Sequence, residues 1–416
     1  MDPKRKVAVI GAGLSGMGMA HFLSDRYQVT VYERNDRPGG LVRCRRVEGS
    51  LFHLCGGHVF NSRRQDVLDW FWDRFDRDRS FTRADRNSAI VLSGGIRIGY
   101  PIEDHLYQLD ESVQRGAIRD FCARMGQDPT PVAGESFEGF LRRVFGDTLY
   151  GLYFCPYNEK IWRQPLSRVS VDWLEGKLPT PSAEEVFLHN FTHRQERSFV
   201  HSTFWYPLSG GSQFLADRLA EGLDIRYGSD VDKIRPVDGK WRVEGAEYDL
   251  VVYTGNVRDL PGCLEGISLE GFEQPLSALP FHGTTSVFCE IDPVPYTWIY
   301  LPDKAYDAHR IICTGNFSPE NNATGRMTAT VEFTDFVDRK QIGENLAAMP
   351  FHPRFLDFHY TPCSYPVQHS GTRKLIRSLK DLLRPHGFYL TGRFADWEYY
   401  NMDVALGAAM DLAGRL

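Results

Sequence analysis

What the chain lacks narrows the possibilities first. Its eight cysteines (Cys44, Cys55, Cys122, Cys155, Cys263, Cys289, Cys313 and Cys363) are scattered and never form a CxxC pair. That spacing argues against thiolate metal cages and dithiol redox motifs, and fits isolated thiols in a reducing compartment. The 13 histidines contain no HExxH or similar zinc spacing, so no metal is expected. No apolar run approaches the roughly 18 residues that would mark a membrane span. The opening MDPKRKVAVIGAG has no long apolar core or cleavage site of a secretory leader. A cytoplasmic location is therefore the expectation. Positive charge is not in excess either: a net charge of −6 gives no pull towards nucleic acid. Internal repeats and low-complexity tracts are missing as well.

What is present reads as a folded α/β chain. At 416 residues, with 42% hydrophobic and 25% charged, it is long enough for two to three domains of roughly 100–200 residues each. Residues 6–10 (KVAVI) form an apolar strand. Gly11, Gly13 and Gly16 follow in GxGxxG spacing, and then a helix carrying Met17, Met19, Ala20 and Leu23. A second strand over 29–32 runs into Glu33. Strand, glycine turn, helix, strand and acid is the order a dinucleotide requires. The glycines let backbone approach a pyrophosphate, the helix N-terminus faces the phosphates, and the acid meets a ribose diol.

NAD and FAD share that fingerprint, and the next residues separate them. Arg34 to Leu41, with Pro38, Gly39 and Gly40, resembles the second glycine-rich segment of the FAD family that contains amine oxidases and glutathione-reductase-like enzymes. Later segments read as the rest of that domain. They are a strand over 225–234 containing Val231, strands over 241–243 and 248–253, a strand over 388–393 closing on Gly392 and Arg393, and a helix over 402–416. The expected domains are a discontinuous FAD-binding unit (1–85, 205–265 and 375–416), a helical substrate unit with a mobile loop (103–200), and an antiparallel sheet unit (86–102 and 266–374).

Over nearly its whole length the chain resembles the UDP-galactopyranose mutase family. The resemblance is carried by Gly56-Gly57-His58-Val59-Phe60, Gly99-Tyr100-Pro101-Ile102, Pro156-Tyr157 with Lys160 and Trp162, the stretch 298–310 with Asn316-Phe317-Ser318-Pro319, and Gly392-Arg393-Phe394 with Tyr399. It implies a Rossmann-type FAD-binding domain with a helical and an antiparallel β-sheet insertion. The implied activity interconverts pyranose and furanose forms of a nucleotide sugar through a reduced-flavin N5 adduct, with no net redox change. A reductant such as NAD(P)H would prime the flavin, and a homodimer is compatible with the family.

By this resemblance His58, Arg310 and Lys177 are the catalytic candidates. Tyr157 and Trp162 contact the base, stacked on its faces. Tyr300, Tyr365 and Tyr399 contact the diphosphate, and Asn401, near the ribityl chain, also belongs to the substrate-binding set. Gly11, Gly13, Gly16, Glu33, Arg34, Gly40, Leu41, Gly57, His58, Val231, Gly392, Arg393 and Met402 contact FAD. Two positions depart from the family. Lys177 stands where the mutases carry a mobile-loop arginine, which keeps the charge and loses the bidentate fork. Asn401-Met402-Asp403 stands where bacterial members commonly read Asp-Met-Asp. These departures leave the base and the sugar open. The alternative is an FAD-dependent oxidase or desaturase of the amine-oxidase superfamily, for which Arg310 and Lys177 would be ordinary charges.

Overall fold

Alternation along the first strand places the core. In Lys6–Ile10, Val7 and Val9 face one hydrophobic layer and Ala8 faces the other, the period of two that a strand imposes. In the computed structural model, which describes residues 4–132, 134–174, 178, 180–193, 202–323 and 325–416, this strand sits at the centre of a parallel sheet. Among the described residues the sheet has five strands in the order Phe388–Leu390, Leu250–Tyr253, Lys6–Ile10, Gln28–Glu33 and Asp224–Tyr227. Three distant parts of the chain therefore build one sheet. Helices Leu14–Leu23, Met402–Ala413 and Gly211–Ala220 cover one face. Helix Thr372–Leu383 and a small antiparallel sheet (Ile234–Val237, Lys240–Val243, Ala246–Tyr248) cover the other.

A second sheet has seven strands among the described residues, in the order Arg354–Pro366, Phe281–Glu290, Thr328–Thr334, Arg310–Ile312, Trp298–Tyr300, Ser88–Val91 and Arg97–Gly99. Its pairings are antiparallel except Trp298–Tyr300 on Ser88–Val91, which is parallel. Ile299, Ile311 and Val331 point to an outer core with Ile342 and Leu346 of helix Arg339–Ala348. Trp298, Tyr300 and Ile312 point inward, to a core shared with helices Glu111–Cys122, Phe137–Leu149, Cys155–Trp162 and Ala183–Thr192. The fold is thus a Rossmann-type α/β domain with a helical and a largely antiparallel sheet insertion. None of the helices among the described residues is long and apolar enough to cross a membrane.

Three local expectations need correction, the first being the strand over 388–393, which ends at Leu390. The stretch 225–234 is not one strand: it splits into Asp224–Tyr227 and Ile234–Val237, because Gly228 takes φ +69° and turns the chain. Val231 lies in that link, half-buried and packed against the core layer that includes Tyr32 and Tyr248. The last helix ends at Ala413 rather than at 416, with Gly414 as its cap. The long strand Arg354–Pro366 carries Pro362 internally, and it lies at the sheet edge, where a missing N–H is tolerated.

Candidate functional site

The glycine turn is built by close approach. Gly11 takes φ +103°, and its N–H donates to the Tyr32 carbonyl at 2.7 Å. A Cβ on Gly16 would stand 1.8 Å from the Gly11 carbonyl oxygen, and one on Gly11 would stand 2.6 Å from Thr254 Oγ1. Thr254 Oγ1 donates to the Ile10 carbonyl at 2.7 Å. Gly392 closes the cluster from the last strand: a Cβ there would meet Ser15 Oγ at 3.0 Å. Gly13 differs, because a Cβ added to it would meet no atom within 4 Å. It stands at the N-cap of Leu14–Leu23, whose first turn has no side-chain cap. Open space beside uncapped helix N–H groups is what an incoming phosphate needs.

Glu33 ends the second strand, buried, with one carboxylate oxygen accepting from Ala12 N–H at 2.8 Å and the other from Asn35 N–H at 2.9 Å. The second glycine segment docks on the same turn. Gly39 N–H donates to the Ala12 carbonyl at 2.9 Å, and a Cβ on Gly40 would be 3.4 Å from Gly13 Cα. Arg34 is exposed, and its charge opposes the rise that burial gives Asp259.

From this cluster a loop leads to the second sheet. His58 Nε2–H donates to the Leu41 carbonyl at 3.1 Å. Gly57 lies on the inner face of the sheet, where a Cβ would be 2.7 Å from Ile312 Cγ2. Gly56 N–H donates to Glu332 at 2.7 Å, and His58 N–H to His53 Nδ1 at 3.3 Å. His53 in turn contacts the Tyr206 hydroxyl at 2.8 Å, which accepts from Asn321 at 3.0 Å. Burial pushes His58 down to about 4 and His53 down to about 3, so both rings are neutral near pH 7.

Across the sheet, Tyr300, Arg310 and Glu332 are direct register partners. Arg310 Nε pairs with Glu332, and its Nη2 donates to the Tyr365 hydroxyl at 2.9 Å. Burial raises the Glu332 carboxyl, but Arg310 and His309 outweigh it and hold it at about 2. Burial opposes the charge on Arg310, and Glu332 more than restores it. Tyr365 stacks on Tyr399, with ring centroids 5.5 Å apart. The Arg393 guanidinium lies 4.3 Å from the Tyr399 ring and 5.4 Å from that of Tyr365. Arg393 also donates to the Ser364 carbonyl at 2.7 Å, and its Nε is buried without a hydrogen-bond partner among the described residues. Asn401 occupies the N-cap position of the last helix, immediately before buried Met402.

The two aromatics of helix Cys155–Trp162 have different ring neighbours, since five residues at ~100° each turn them to different helix faces. Tyr157 meets Tyr153 and Tyr300, each at 5.4 Å, whereas Trp162 turns to Trp173 at 5.0 Å. A π-helical turn, Tyr150–Phe154, leads directly into this helix. Lys177 lies outside the described residues.

The structure therefore brings together Gly11, Gly13, Gly16, Glu33, Gly40, Leu41, Gly57, His58, Gly392 and Arg393 on one side. On the other it brings together Tyr157, Tyr300, Arg310, Tyr365 and Tyr399. The loop 56–58 and Arg393 join the two. Sequence reasoning missed Glu332, His53, His309, Trp173 and Arg86, whose guanidinium bonds the Tyr300 hydroxyl and lies 4.7 Å from the Trp298 ring. The available signal was a lone carboxylate inside an otherwise uncharged strand, TATVEFT, every residue of which is buried.

Known proteins resemble this chain mainly in fold. The NAD(P)-binding Rossmann-like domain profile matches residues 9–75. A crystal structure of reduced UDP-galactopyranose mutase superposes with a TM-score of 0.86 at 21% identity, covering 99% of this chain and 93% of that one. A candidate protoporphyrinogen oxidase from Exiguobacterium sp. 255-15 superposes with a TM-score of 0.76 at 15% identity, covering 99% and 98%. Coproporphyrinogen III oxidase of Staphylococcus aureus is 38% identical over 53 residues, 12% of this chain and 11% of that protein's length.

Proposed function

We propose that this chain binds FAD and, with the flavin reduced, interconverts the pyranose and furanose forms of a nucleotide sugar. The observation that carries the reading is the pairing of two features. The glycine cluster is open only at Gly13, and a cation among hydroxyls, Arg310 with Tyr365 and Tyr300 alongside, is joined to it through the loop 56–58. The first feature suits a pyrophosphate approaching backbone. The second suits a diphosphate leaving group.

Gly11, Gly13, Gly16, Glu33, Gly40, Leu41, Gly57, His58, Gly392, Arg393 and Met402 would hold FAD, which when reduced supplies a nucleophilic nitrogen with no net redox change over a turnover. Arg310 and the Tyr300, Tyr365 and Tyr399 hydroxyls would bind the diphosphate and keep it near the sugar after the glycosidic bond breaks. Burial raises the Tyr157 and Tyr365 phenols well above their usual range against the pull of Arg310. They therefore act as neutral hydrogen-bonding groups rather than bases. Neutral His58 can accept or donate a hydrogen bond without adding charge beside the flavin. Lys177 would contribute a second cation, and NAD(P)H or a similar reductant would prime the flavin.

One observation favours an FAD-dependent oxidase instead. Glu332 already neutralises Arg310, as a purely structural pair would. Turnover separates the readings. Protein reduced with dithionite should isomerise a member of a nucleotide-sugar panel, detected by chromatography, without stoichiometric loss of reductant. Turnover coupled one-to-one to oxygen uptake would give the oxidase reading. A colourless protein that cannot be reconstituted with FAD would end both.

A further inference from the structure

We propose that Lys160 is a positioning residue: its ammonium, caged by main-chain carbonyls of the 301–308 connection, fixes the aromatic helix against the strands that carry Tyr300 and Arg310. The importance of that spacing rests on the diphosphate reading above. Lys160 Nζ donates to the carbonyls of Leu301 and Tyr306 at 2.7 Å each, of Ala308 at 3.1 Å, and of Asp303. It also lies 4.9 Å from the centre of the Tyr306 ring. Three N–H protons thus meet four acceptors. Among the described residues no carboxylate lies within ion-pair distance, so carbonyl dipoles do the solvating.

The connection itself explains why a cation is needed there. Residues 301–308 link Trp298–Tyr300 to Arg310–Ile312 without forming a strand or helix of their own. Carbonyls turned towards one point repel each other through their negative ends, and an unpaired buried carbonyl costs free energy. A compact, strongly hydrated point charge with three rotatable donors relieves both. Burial pushes the Lys160 ammonium down to about 8 while Asp303 and Asp307 pull it up, so it is charged near neutral pH.

The clamp sits beside the site on both sides. Lys160 is three residues after Tyr157, on the same helix face, and the Tyr157 ring packs edge-on against Tyr300 at 5.4 Å. At the other end of the connection, Leu301 N–H donates to the His309 carbonyl at 2.9 Å, and His309 N–H donates to the Glu332 carbonyl at 3.0 Å. Loosening the cage would therefore shift Tyr300 and Arg310 relative to Tyr157 without touching the glycine cluster.

The test is a donor series, Lys160→Arg, Lys160→Gln and Lys160→Met, in the FAD-loaded protein. UDP affinity is read from tryptophan fluorescence, alongside flavin content, melting temperature and amide exchange of the 301–308 segment. The Gln and Met variants should lose about tenfold or more in UDP affinity and exchange faster at 301–308. The Arg variant, which keeps the charge but not the compact shape, should lose less than either, and flavin content should be constant throughout. If the Met variant does not fold, the Gln and Arg variants carry the comparison. Unchanged affinity and exchange would overturn the proposal, as would losses that merely track melting temperature across all three variants. Exchange is measured without UDP and decides the clamp by itself. A parent that binds no UDP would instead remove the diphosphate reading.

Discussion

At the scale of single residues, the Arg310–Glu332 pair decides how this site can be probed. Both side chains are largely withdrawn from water, 18% and 0% exposed, and the carboxylate also holds the Gly56 N–H. Removing the guanidinium leaves a buried carboxylate whose main partner is gone, which typically costs ~3–5 kcal/mol. Arg310→Met should therefore lower the melting temperature as well as ligand binding. The double variant Arg310→Met/Glu332→Gln should recover most of the stability and none of the UDP affinity, because the amide oxygen still accepts from Gly56 while the cation stays absent. Thermal melts and UDP titrations of the parent and both variants check this. A single Arg310→Met protein as stable as the parent would show that the pair does not hold the loop.

At the scale of elements, the glycine turn separates packing from cofactor contact. Gly16 has no room for a Cβ because the Gly11 carbonyl is in the way, whereas Gly13 has open space and φ −75°, which alanine adopts freely. Gly16→Ala should fail to fold or lose several degrees of stability. Gly13→Ala should melt within about 2 °C of the parent as apoprotein and yet retain far less flavin, measured by absorbance after desalting. Full flavin retention in Gly13→Ala would place the pyrophosphate elsewhere. The π-turn at Tyr150–Phe154 belongs to this scale too. It re-phases the chain ahead of the next helix, so Tyr157 faces Tyr300 while Trp162 faces Trp173.

At the scale of the whole molecule, buried titratable groups set the acid limit of stability. Burial lowers His53 to about 3 and both His58 and His309 to about 4, against about 6.5 in an unfolded chain. Between those values the unfolded state binds protons that the folded state refuses, so stability falls as pH falls. Glu332 acts in the same direction at lower pH. Despite burial its carboxyl is held at about 2, so its contribution is present above about 4.5 and lost as pH falls towards 2. The melting temperature should be nearly flat from pH 8 to 7 and should drop progressively below about pH 6.5, before most carboxylates titrate. A flat profile down to pH 4.5 would show that these histidines are not buried neutral in solution.

The sequence by itself determined the Rossmann-type core and its glycine turn. The reason is local: GxGxxG between an apolar strand and a helix, with Glu33 after the next strand, states its geometry within about 30 residues. It also determined which tyrosines and arginines were candidates, and the long insertions were legible as helical or extended from their periodicity. Only the tertiary structure decided who partners whom. Glu332 was invisible as a functional residue because its partners, Arg310 in a neighbouring strand and Gly56 in a distant loop, meet it through sheet register. Tyr157 and Trp162 looked like a pair in sequence, and helix phase sent them to different neighbours. Lys160 read as a charge between two aromatics, and only the folded path of residues 301–308 turned four carbonyls onto it. Local sequence sets backbone geometry, but contacts between segments more than a hundred residues apart depend on how sheets and helices pack. Packing is a property of the whole chain.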